Sequence, residues 1–260
     1  MKEQNTEGSI WQAPPTEYIY PLLNLEERQK EELLCTCERA RLDIRALRES
    51  EISELIQHIT LHNAFMGNYF CDAEAIKRAI DGSETDTASD KETRFYAKTA
   101  SDWRQILGEI ISGRIDADNP ESIMGIHKLL ASDVLESGRR GAIRESSVRI
   151  RGSEYRPPLG EKTLKETLAQ LLKNAEGIDY LPLRAIYLHL NILTLQPFDD
   201  CNKRTARAVE NILLLSGGYR PTLALDKYQA LFIRKTESWF LNKGDYTQYT
   251  DVFTSLRKGQ

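Results

Sequence analysis

The chain has 260 residues, 40% of them apolar, which is enough for one large domain or for a domain with an added segment. Its net charge of −4 excludes the overall positive field that would favour nucleic acid or an anionic membrane surface. The first residues lack the basic and apolar stretches of a secretion signal, and no apolar run reaches the ~18 residues of a membrane span, so we expect a cytoplasmic protein with no nucleic-acid or membrane partner.

Most of the chain has the composition of α-helices, because long segments are rich in Glu, Arg, Leu and Ala and lack Pro and Gly. Apolar residues recur there at helical spacing, which predicts one buried face per helix. In chain order, the predicted helices are Glu26–Leu47, Ser50–Phe65, Lys91–Ser112, Ser122–Glu136, Glu161–Asn174, Leu181–Leu195, a helix that begins at Asn202 or Lys203 and ends at Gly217-Gly218, Tyr228–Leu241 and Asp245–Leu256. Leu181–Leu195 is apolar almost all round, which is typical of a central helix. We expect an N-terminal segment with one helix, residues 1–49, and a main domain, residues 50–260.

One segment, Ala142–Gly152, breaks the helical pattern. Its apolar Val148 and Ile150 alternate with Arg149 and Arg151, and glycine and proline residues lie nearby on both sides. Alternation with a period of two residues beside turn-forming residues predicts a short β-hairpin. The expected fold class is therefore all-α with one small β-hairpin.

Residues 196–207, Gln-Pro-Phe-Asp-Asp-Cys-Asn-Lys-Arg-Thr-Ala-Arg, connect the central helix to the next one. A loop at the start of a helix gathers backbone N–H groups at the positive end of the helix dipole, which favours anions. Four donor side chains lie in the same stretch: Asn202, Lys203, Arg204 and Arg207. A polyphosphate is the ligand that suits such a site.

Two acidic residues, Asp199 and Asp200, precede this helix. Asp200 could hold the Mg²⁺ that normally accompanies a triphosphate, through the carboxylate oxygen that this ion prefers. The alternative is an ordinary helix start, with Asp199 or Asp200 as the N-cap acceptor and the basic side chains exposed. Phe198, which has polar neighbours, should point inward and fix the loop to the core.

The loop resembles the signature of the Fic family, His-x-Phe-x-(Asp/Glu)-Gly-Asn-(Gly/Lys)-Arg-x-x-Arg. It departs from that signature at two positions, with Gln196 in place of the His and Cys201 in place of the Gly. Gly141–Arg144 and Val148–Gly152 are similar to the family's flap hairpin, and Ile186–Leu195 is similar to the helix before its active loop. Together these segments extend the resemblance over most of the main domain.

The resemblance implies a Fic fold, an all-helical domain at residues 50–260 with a β-hairpin flap and an N-terminal helical extension. The family, of protein adenylyltransferases, binds ATP and Mg²⁺ and transfers a phosphate-containing group, usually AMP, to a Ser, Thr or Tyr hydroxyl of another protein. The implied nucleotide-binding residues are Asp200, Cys201, Asn202, Lys203, Arg204 and Arg207. Asp200 would hold the metal, and Arg204 with Arg207 would hold the distal phosphates. Val148 and Ile150 of the flap would dock a protein target by main-chain pairing, which is β-augmentation.

In the family, the residue at position 196 is the general base that takes the target's proton. An amide has no useful proton affinity near neutral pH, so Gln196 can orient a hydroxyl without accepting its proton. Loss of a positioned general base typically lowers a rate by ~10²–10⁴. His189 is no substitute, because it lies about 10 Å away along the helix axis. We expect His189 to be partly buried, with its ring hydrogen-bonded.

Cys201 places a Cβ atom where the family has Gly, which would cost about 1 kcal/mol if the backbone there needs a positive φ. One alternative makes Cys201 a nucleophile, since nearby cations and a helix start lower the pKa of a thiol, although the sequence offers it no partner base. The four cysteines and four histidines otherwise show no disulfide framework and no metal-ligand spacing, so we expect free thiols and no zinc site.

Two further resemblances bear on activity. Residues 200–206 are similar to the Asp-Ala-Asn-Lys-Arg-Thr-Ala run of the Doc toxins, a branch that phosphorylates its target with the nucleotide bound in reverse.

Many members of the Fic family also carry an inhibitory helix with (Ser/Thr)-x-x-x-Glu-(Gly/Asn), whose Glu pairs with the second Arg of the signature. Residues 62–67 match it best, with Met66 in place of the Glu, so Met66 cannot hold Arg207 electrostatically. The alternative is that three residues of this stretch pack in the core: His62, Phe65 and Met66.

Three functions follow from this pattern. The preferred hypothesis is a Fic-like pseudoenzyme whose transfer chemistry is impaired or lost and which still binds a nucleotide or an unmodified partner. The second is an active AMP- or phosphoryl-transferase in which Gln196 positions the hydroxyl, since a loose phosphoryl-transfer transition state demands little of a base. The third is a peptide-binding module that uses the flap without a nucleotide.

Overall fold

A computed structural model of the protein describes residues 25–67, 69, 72–83, 90–150, 155–225, 228–241 and 245–258. These ranges contain ten α-helices: α1 Glu27–Arg39, α2 Glu49–Met66, α3 Ala73–Asp81, α4 Asp90–Ile111, α5 Pro120–Leu130, α6 Glu161–Glu176, α7 Leu181–Leu195, α8 Asn202–Ser216, α9 Gln229–Leu241 and α10 Tyr246–Lys258. No strand is assigned within the described ranges, and the all-α class is confirmed. None of the helices described there has both the length and the apolar character needed to cross a bilayer.

The central position predicted for α7 is confirmed. Every side chain from Ala185 to Leu195 is buried, and α7 packs most extensively against α8. α8 contributes an apolar face that includes Val209, Ile212 and Leu213. Burial of an aliphatic side chain stabilises a fold by about 1.5–3 kcal/mol. The α7–α8 pair is therefore a firm base for the loop that joins these two helices.

The predicted helix Glu26–Leu47 is wrong in its second half. The chain leaves the helix after α1 because its backbone pairs with the turn that follows α8. The Leu42 N–H donates to the Gly218 carbonyl at 2.9 Å, and the Arg220 N–H donates to the Ala40 carbonyl at 3.2 Å. Hydrogen bonds between distant parts of the chain here override local helix propensity.

The predicted helix Ser122–Glu136 is also shifted. α5 begins at Pro120, a residue that suits the first helical position because its missing N–H would be unpaired there anyway. Asn119 is the N-cap, and its side chain accepts from the Ser122 N–H at 2.8 Å. The short helix α3 is absent from the predictions, although Asp72 caps it in the ordinary way.

The N-terminal helix α1 packs on the C-terminal helix α10. Its buried Leu33 and Cys37 join the same core as the residues of α7 and α8. The helix of the N-terminal segment is thus part of the common core, and the division at residue 49 stays a prediction.

The predicted hairpin at Ala142–Gly152 is described only in part. Residues 142–150 have no assigned strand, and residues 151–154 lie outside the described residues, so the hairpin stays a prediction. The backbone N–H of Arg144 donates to the Pro197 carbonyl at 3.0 Å. Residues 141–150, which we call the flap segment, therefore lie beside the α7–α8 loop.

Candidate functional site

An open cavity of about 440 Å³ lies beside the α7–α8 loop. Its walls come from the loop and the start of α8, from the flap segment, and from the C-terminal end of α2 with part of α4. Every residue predicted to bind nucleotide, metal or target lines this cavity: Gln196, Asp200, Cys201, Asn202, Lys203, Arg204, Arg207, Val148 and Ile150. Their roles stay predictions, but the fold brings all of them to one place.

Both departures from the signature that the loop resembles fall on left-handed backbone. Gln196 has φ 47° and Cys201 has φ 57°, and no other non-glycine residue in the described ranges has a positive φ. A side chain in this conformation costs about 1 kcal/mol relative to glycine. The cost predicted for Cys201 depends on a positive φ at this position, and the structure has one. Cys201 is also the N-cap of α8 and offers that helix no side-chain hydrogen bond.

Phe198 and Asn202 fix the shape of the loop. The Phe198 ring is buried and stacks on the His127 ring with centroids 3.8 Å apart, which confirms its predicted inward position. The Asn202 Oδ1 accepts from the Phe198 N–H at 2.9 Å, and its Nδ2 donates to the Phe198 carbonyl at 2.7 Å. Asn202 therefore supports the loop from within the protein.

The two carboxylates ahead of α8 do not cap that helix. Asp200 accepts from the N–H of the next residue, Cys201, at 2.6 Å, and is otherwise exposed to the cavity. Asp199 pairs with Arg139 at 2.7 Å and accepts from the Ser146 hydroxyl at 2.6 Å. The alternative of an ordinary capped helix start is therefore wrong. Asp199 instead ties the flap segment to the loop.

His127 supports the loop, and no signal in the sequence indicates this role. Its Nδ1 accepts from the Gly141 N–H at 2.9 Å, so the neutral ring carries its proton on Nε2, which donates to the Asp200 carbonyl at 3.2 Å. Burial lowers the pKa of the ring to about 4. Gly141 has φ 76°, and a Cβ atom there would lie 2.8 Å from the Met124 carbonyl oxygen. The flap segment and the loop thus meet on a neutral imidazole.

Arg144 is a second supporting residue to which sequence analysis assigns no role. Its side chain is buried, and its guanidinium donates to the carbonyls of Gln196 at 2.6 Å, Ser146 at 2.7 Å and Pro158 at 2.6 Å. Hydrogen bonds from a charged donor are about twice as strong as neutral ones. They offset the cost of burying this cation and connect position 196 to the flap segment.

Gln196 lines the cavity and offers it no base. Its Nε2 donates to the Leu193 carbonyl at 2.6 Å. The carboxamide oxygen is therefore the atom available to a hydroxyl in the cavity. This oxygen can accept a hydrogen bond, but it does not take a proton near neutral pH.

All four histidines of the chain lie within the described ranges, and none of them lines the cavity. His62 is buried, its Nδ1 accepts from the Ala224 N–H at 3.2 Å, and burial lowers its pKa to about 3. His189 is fully buried rather than partly buried as predicted, because it sits inside the α7–α8 interface. Its hydrogen-bonded ring is confirmed, since Nδ1 contacts the Glu210 carboxylate and the Tyr249 hydroxyl. No imidazole in the described structure replaces the missing base.

Arg204 and Arg207 have different partners. The Arg204 Nη1 donates to the Asp133 carboxylate at 3.1 Å and to the Leu130 carbonyl at 3.2 Å. Arg207 is only 7% exposed, its Nη2 donates to the Asn63 Oδ1 at 3.1 Å, and its Nε has no hydrogen-bond partner. Burial, together with the nearby charge of Arg204, lowers the pKa of Arg207 to about 10. Arg207 is thus a buried cation held by a neutral amide.

The thiol of Cys201 is unreactive in this structure. Burial raises its pKa to about 12 and outweighs the opposing charge of Arg204. The thiol therefore stays protonated at neutral pH, whereas a cysteine nucleophile acts as a thiolate. The lowered pKa that the nucleophile alternative requires of Cys201 is therefore not found.

The C-terminal end of α2 contributes Asn63, Met66 and Gly67 to the cavity wall. His62 faces the core, where its ring packs against Phe232 with centroids 5.4 Å apart. Met66 is partly buried against the core and also lines the cavity. The core-packing alternative therefore holds for His62 and holds only in part for Met66.

The cavity wall includes two aromatic residues that no pattern in the sequence indicates. Tyr69 and Phe95 are stacked, with ring centroids 4.1 Å apart and an angle of 16° between the planes. A Cβ atom at Gly67 would lie 2.8 Å from the Tyr69 ring, so this glycine allows the close approach. The site thus combines a flat aromatic surface with a cluster of cations.

Comparison with known proteins places this cavity in a known fold. Residues 117–214, which span α5, the flap segment and the loop, match the model of the Fic/DOC family. A Fic family protein from Desulfovibrio desulfuricans is 16% identical, with 95% of this chain and 74% of that chain covered and a TM-score of 0.68. Fic-1 from C. elegans is 16% identical, with 89% of this chain and 70% of that chain covered and a TM-score of 0.67.

A variant of IbpAFic2, solved in complex with adenylylated Cdc42, is 14% identical, with 91% of this chain and 72% of that chain covered and a TM-score of 0.54. At such low identities, the structural similarity shows the fold alone. The family model covers the loop that carries the signature, and the fold extends over nearly the whole chain. Residues 117–214 of this chain therefore match the Fic/DOC family, and the chain has the fold of the solved Fic proteins.

Proposed function

We propose that this protein binds a nucleoside triphosphate with Mg²⁺ in the cavity and that its ability to transfer AMP or a phosphoryl group to a protein hydroxyl is impaired or lost. One observation carries the proposal: the cavity keeps the cations of a phosphate site, yet Gln196 lies where a base is needed and no histidine lines the wall. AMP is proposed as the transferred group because a variant of a similar protein, IbpAFic2, was solved in complex with adenylylated Cdc42.

The triphosphate is supported by the cations at the start of α8. Lys203, Arg204 and Arg207 line the cavity within the first two turns of the helix, whose N-terminus favours anions. The buried Nε of Arg207 lacks a protein partner, and a phosphate oxygen would supply one. The stacked Tyr69 and Phe95 offer a flat surface that suits a nucleotide base.

Asp200 would hold the Mg²⁺. Its carboxylate is exposed to the cavity, and Mg²⁺ prefers oxygen ligands. Within the described ranges, no group of three or more His, Cys, Asp or Glu side chains could hold a metal by itself. The ion would therefore complete its shell with phosphate oxygens and water, as Mg²⁺ usually does. When bound, it would neutralise charge on the phosphates.

A protein target would dock along the flap segment, where Val148 and Ile150 line the same cavity. Main-chain pairing with this segment would bring a target hydroxyl towards Gln196. The carboxamide oxygen of Gln196 would orient the hydroxyl. With no base beside it to accept its proton, the hydroxyl would be a poor nucleophile, and its attack on the phosphate would be slow.

Two measurements test the proposal. The first is thermal unfolding with millimolar Mg-ATP, for which we expect stabilisation, since a ligand that binds only the folded state stabilises it. The second is incubation of the protein and a cell extract with ATP labelled at the α or γ phosphate, comparing wild type, Gln196→His and Gln196→Asn. Asn is the matched control, because it also accepts left-handed backbone but adds no base.

We expect Gln196→His to label acceptors about 10²–10⁴ times faster than wild type, and Gln196→Asn to stay as slow as wild type. Equal rates for wild type and Gln196→His would show that the chemistry is intact. Absence of stabilisation by Mg-ATP would leave the peptide-binding module as the function.

One observation favours the second candidate, an active transferase. Because the Gln196 Nε2 is bound to the Leu193 carbonyl, the carboxamide has a fixed orientation with its oxygen as the remaining acceptor. An oriented acceptor is all that a loose phosphoryl-transfer transition state requires of this position. Label from the γ phosphate at equal rates in all three proteins would support this candidate.

A further inference from the structure

We propose that Asn63 of α2 is a positioning residue for the anion site: its neutral amide holds the guanidinium of Arg207 in the cavity wall without neutralising it. This inference rests on the proposed function and states how the site is kept available to a phosphate. It assigns a role to a residue outside the loop and outside the flap segment.

The orientation of the Asn63 amide is fixed by its two partners. Nδ2 donates to the Ile59 carbonyl at 2.9 Å, and Oδ1 accepts from the Arg207 Nη2 at 3.1 Å. A carbonyl can only accept and a guanidinium can only donate, so a flipped amide would lose both hydrogen bonds. Asn63 is itself only 7% exposed, and the wall of the cavity therefore holds Arg207 in one place.

In the described ranges, the guanidinium of Arg207 forms no ion pair with a carboxylate, and the charge of the buried Glu210 offsets only part of the cost of its burial. Arg204, one turn earlier in α8, pairs with Asp133, whereas the Nη2 of Arg207 donates to the Asn63 amide and its buried Nε has no partner. A buried cation without an anion is costly, and an anion that binds beside it removes much of this cost. The free protein thus bears an unfavourable charge that ligand binding relieves.

A carboxylate at position 63 would neutralise the charge of Arg207 and so weaken phosphate binding. Asn63→Asp has nearly the same shape, and its carboxylate would form a buried, hydrogen-bonded pair with Arg207. The pair would offset the hydrogen bond that position 63 no longer donates to the Ile59 carbonyl, and it would compete with phosphate for the same guanidinium. A purely structural role for Asn63 predicts instead that affinity and stability fall together.

The test uses the full chain and two probes, Mg-ATP and inorganic tripolyphosphate, which lacks a base and a sugar. The dissociation constant is measured by calorimetry, and the midpoint of thermal unfolding is measured without ligand, for wild type, Asn63→Asp and Asn119→Asp. Asn119→Asp is the matched control, because it adds the same charge at the N-cap of α5, where Asp caps as well as Asn.

We expect Asn63→Asp to bind both probes about tenfold more weakly or worse, with an unfolding midpoint equal to or above that of wild type. Asn119→Asp should bind like wild type. Unchanged binding by Asn63→Asp, or a loss of binding that accompanies a lower midpoint, overturns the role of Asn63 and leaves the proposed function standing. If wild type binds tripolyphosphate but not Mg-ATP, the proposed function falls while the Asn63 comparison is still decided on tripolyphosphate. If wild type binds neither probe, both proposals are overturned.

Discussion

The buried guanidinium of Arg144 donates a hydrogen bond of 2.6 Å to the backbone carbonyl of Gln196. It thereby joins the flap segment to Gln196, which stands where the signature that the loop resembles has His. Gln196 has a left-handed backbone, which is strained for a residue with a side chain and persists only where the surroundings enforce it. Arg144 is one of the groups that enforce it.

Replacement of Arg144 should therefore destabilise the fold more than an ordinary Arg change. Lys keeps the charge but lacks the planar fork that reaches three carbonyls, so Arg144→Lys leaves buried acceptors unpaired, at about 1–3 kcal/mol each. We expect urea unfolding to show a loss of about 2 kcal/mol or more. The control is Arg149→Lys in the exposed part of the same segment, which should change stability by less than about 0.5 kcal/mol. Equal effects of the two changes would contradict the supporting role of Arg144.

The strain at Cys201 predicts an unusual tolerance for glycine. Cys201→Gly removes a buried side chain but relieves a φ of 57°, so the two effects nearly cancel and stability should change by less than about 1 kcal/mol. Cys37→Gly in α1 removes a buried side chain from an ordinary helical position and should cost about 2 kcal/mol. Chemical unfolding of both variants checks the difference, and a larger loss at Cys201 would show that its backbone is unstrained.

The neutral state of His127 predicts a pH dependence of stability. Its folded pKa is about 4, below the usual 6.5, so the unfolded chain binds the proton more readily as pH falls through 6.5. Stability should fall by about 1.4 kcal/mol per pH unit from this group between pH 6.5 and pH 4, and no further below that range. In His127→Gln, the amide can accept from the Gly141 N–H and donate to the Asp200 carbonyl, but it does not titrate.

We therefore expect the slope of unfolding free energy against pH in that window to be shallower in His127→Gln than in wild type. His62, whose folded pKa is about 3, contributes a similar slope in both proteins and does not affect the comparison. Identical slopes would mean that the His127 ring takes up a proton in the folded state.

Asp200 and Asp199 should differ in their effect on metal-dependent binding. Asp200→Asn removes the exposed carboxylate that we propose to hold Mg²⁺, so added Mg²⁺ should no longer tighten ATP binding, while tripolyphosphate without metal should still bind. Asp199→Asn is the matched control, since Asp199 is engaged by Arg139 and Ser146. Calorimetry with and without Mg²⁺ measures how far the ion tightens ATP binding in each variant. If Mg²⁺ still tightens ATP binding in Asp200→Asn, Asp200 is not the metal ligand.

Much of the site is predictable because it is local. Gln196 through Arg207 are consecutive, and a helix start fixes the side of the loop to which its donors point, so the sequence predicts an anion site with no base there. The same local pattern predicts α7 as the central helix, since a helix that is apolar all round must be buried.

Contacts between distant residues are not predictable in this way. The hydrogen bond from Arg207 to Asn63 joins positions 144 residues apart, and the bond from Arg144 to Gln196 joins positions 52 apart. The resemblance to an inhibitory helix brings residues 62–67 towards Arg207, but it points to Met66 and not to Asn63. No neighbour of Arg144 in the sequence reveals its partner. The end of α1 is mispredicted for the same reason, because its backbone leaves the helix to pair with the turn after α8.

Local patterns in the chain are enough to predict the all-α class, the loop that carries the signature and the lack of a base at position 196. The groups that hold the loop, and the charge that they bring to it, become visible only in the folded protein. Helix propensity and helix-start chemistry act over a few residues, whereas burial depends on which helices pack together. Burial keeps His127 neutral, keeps Cys201 protonated and leaves Arg207 with an amide for a partner.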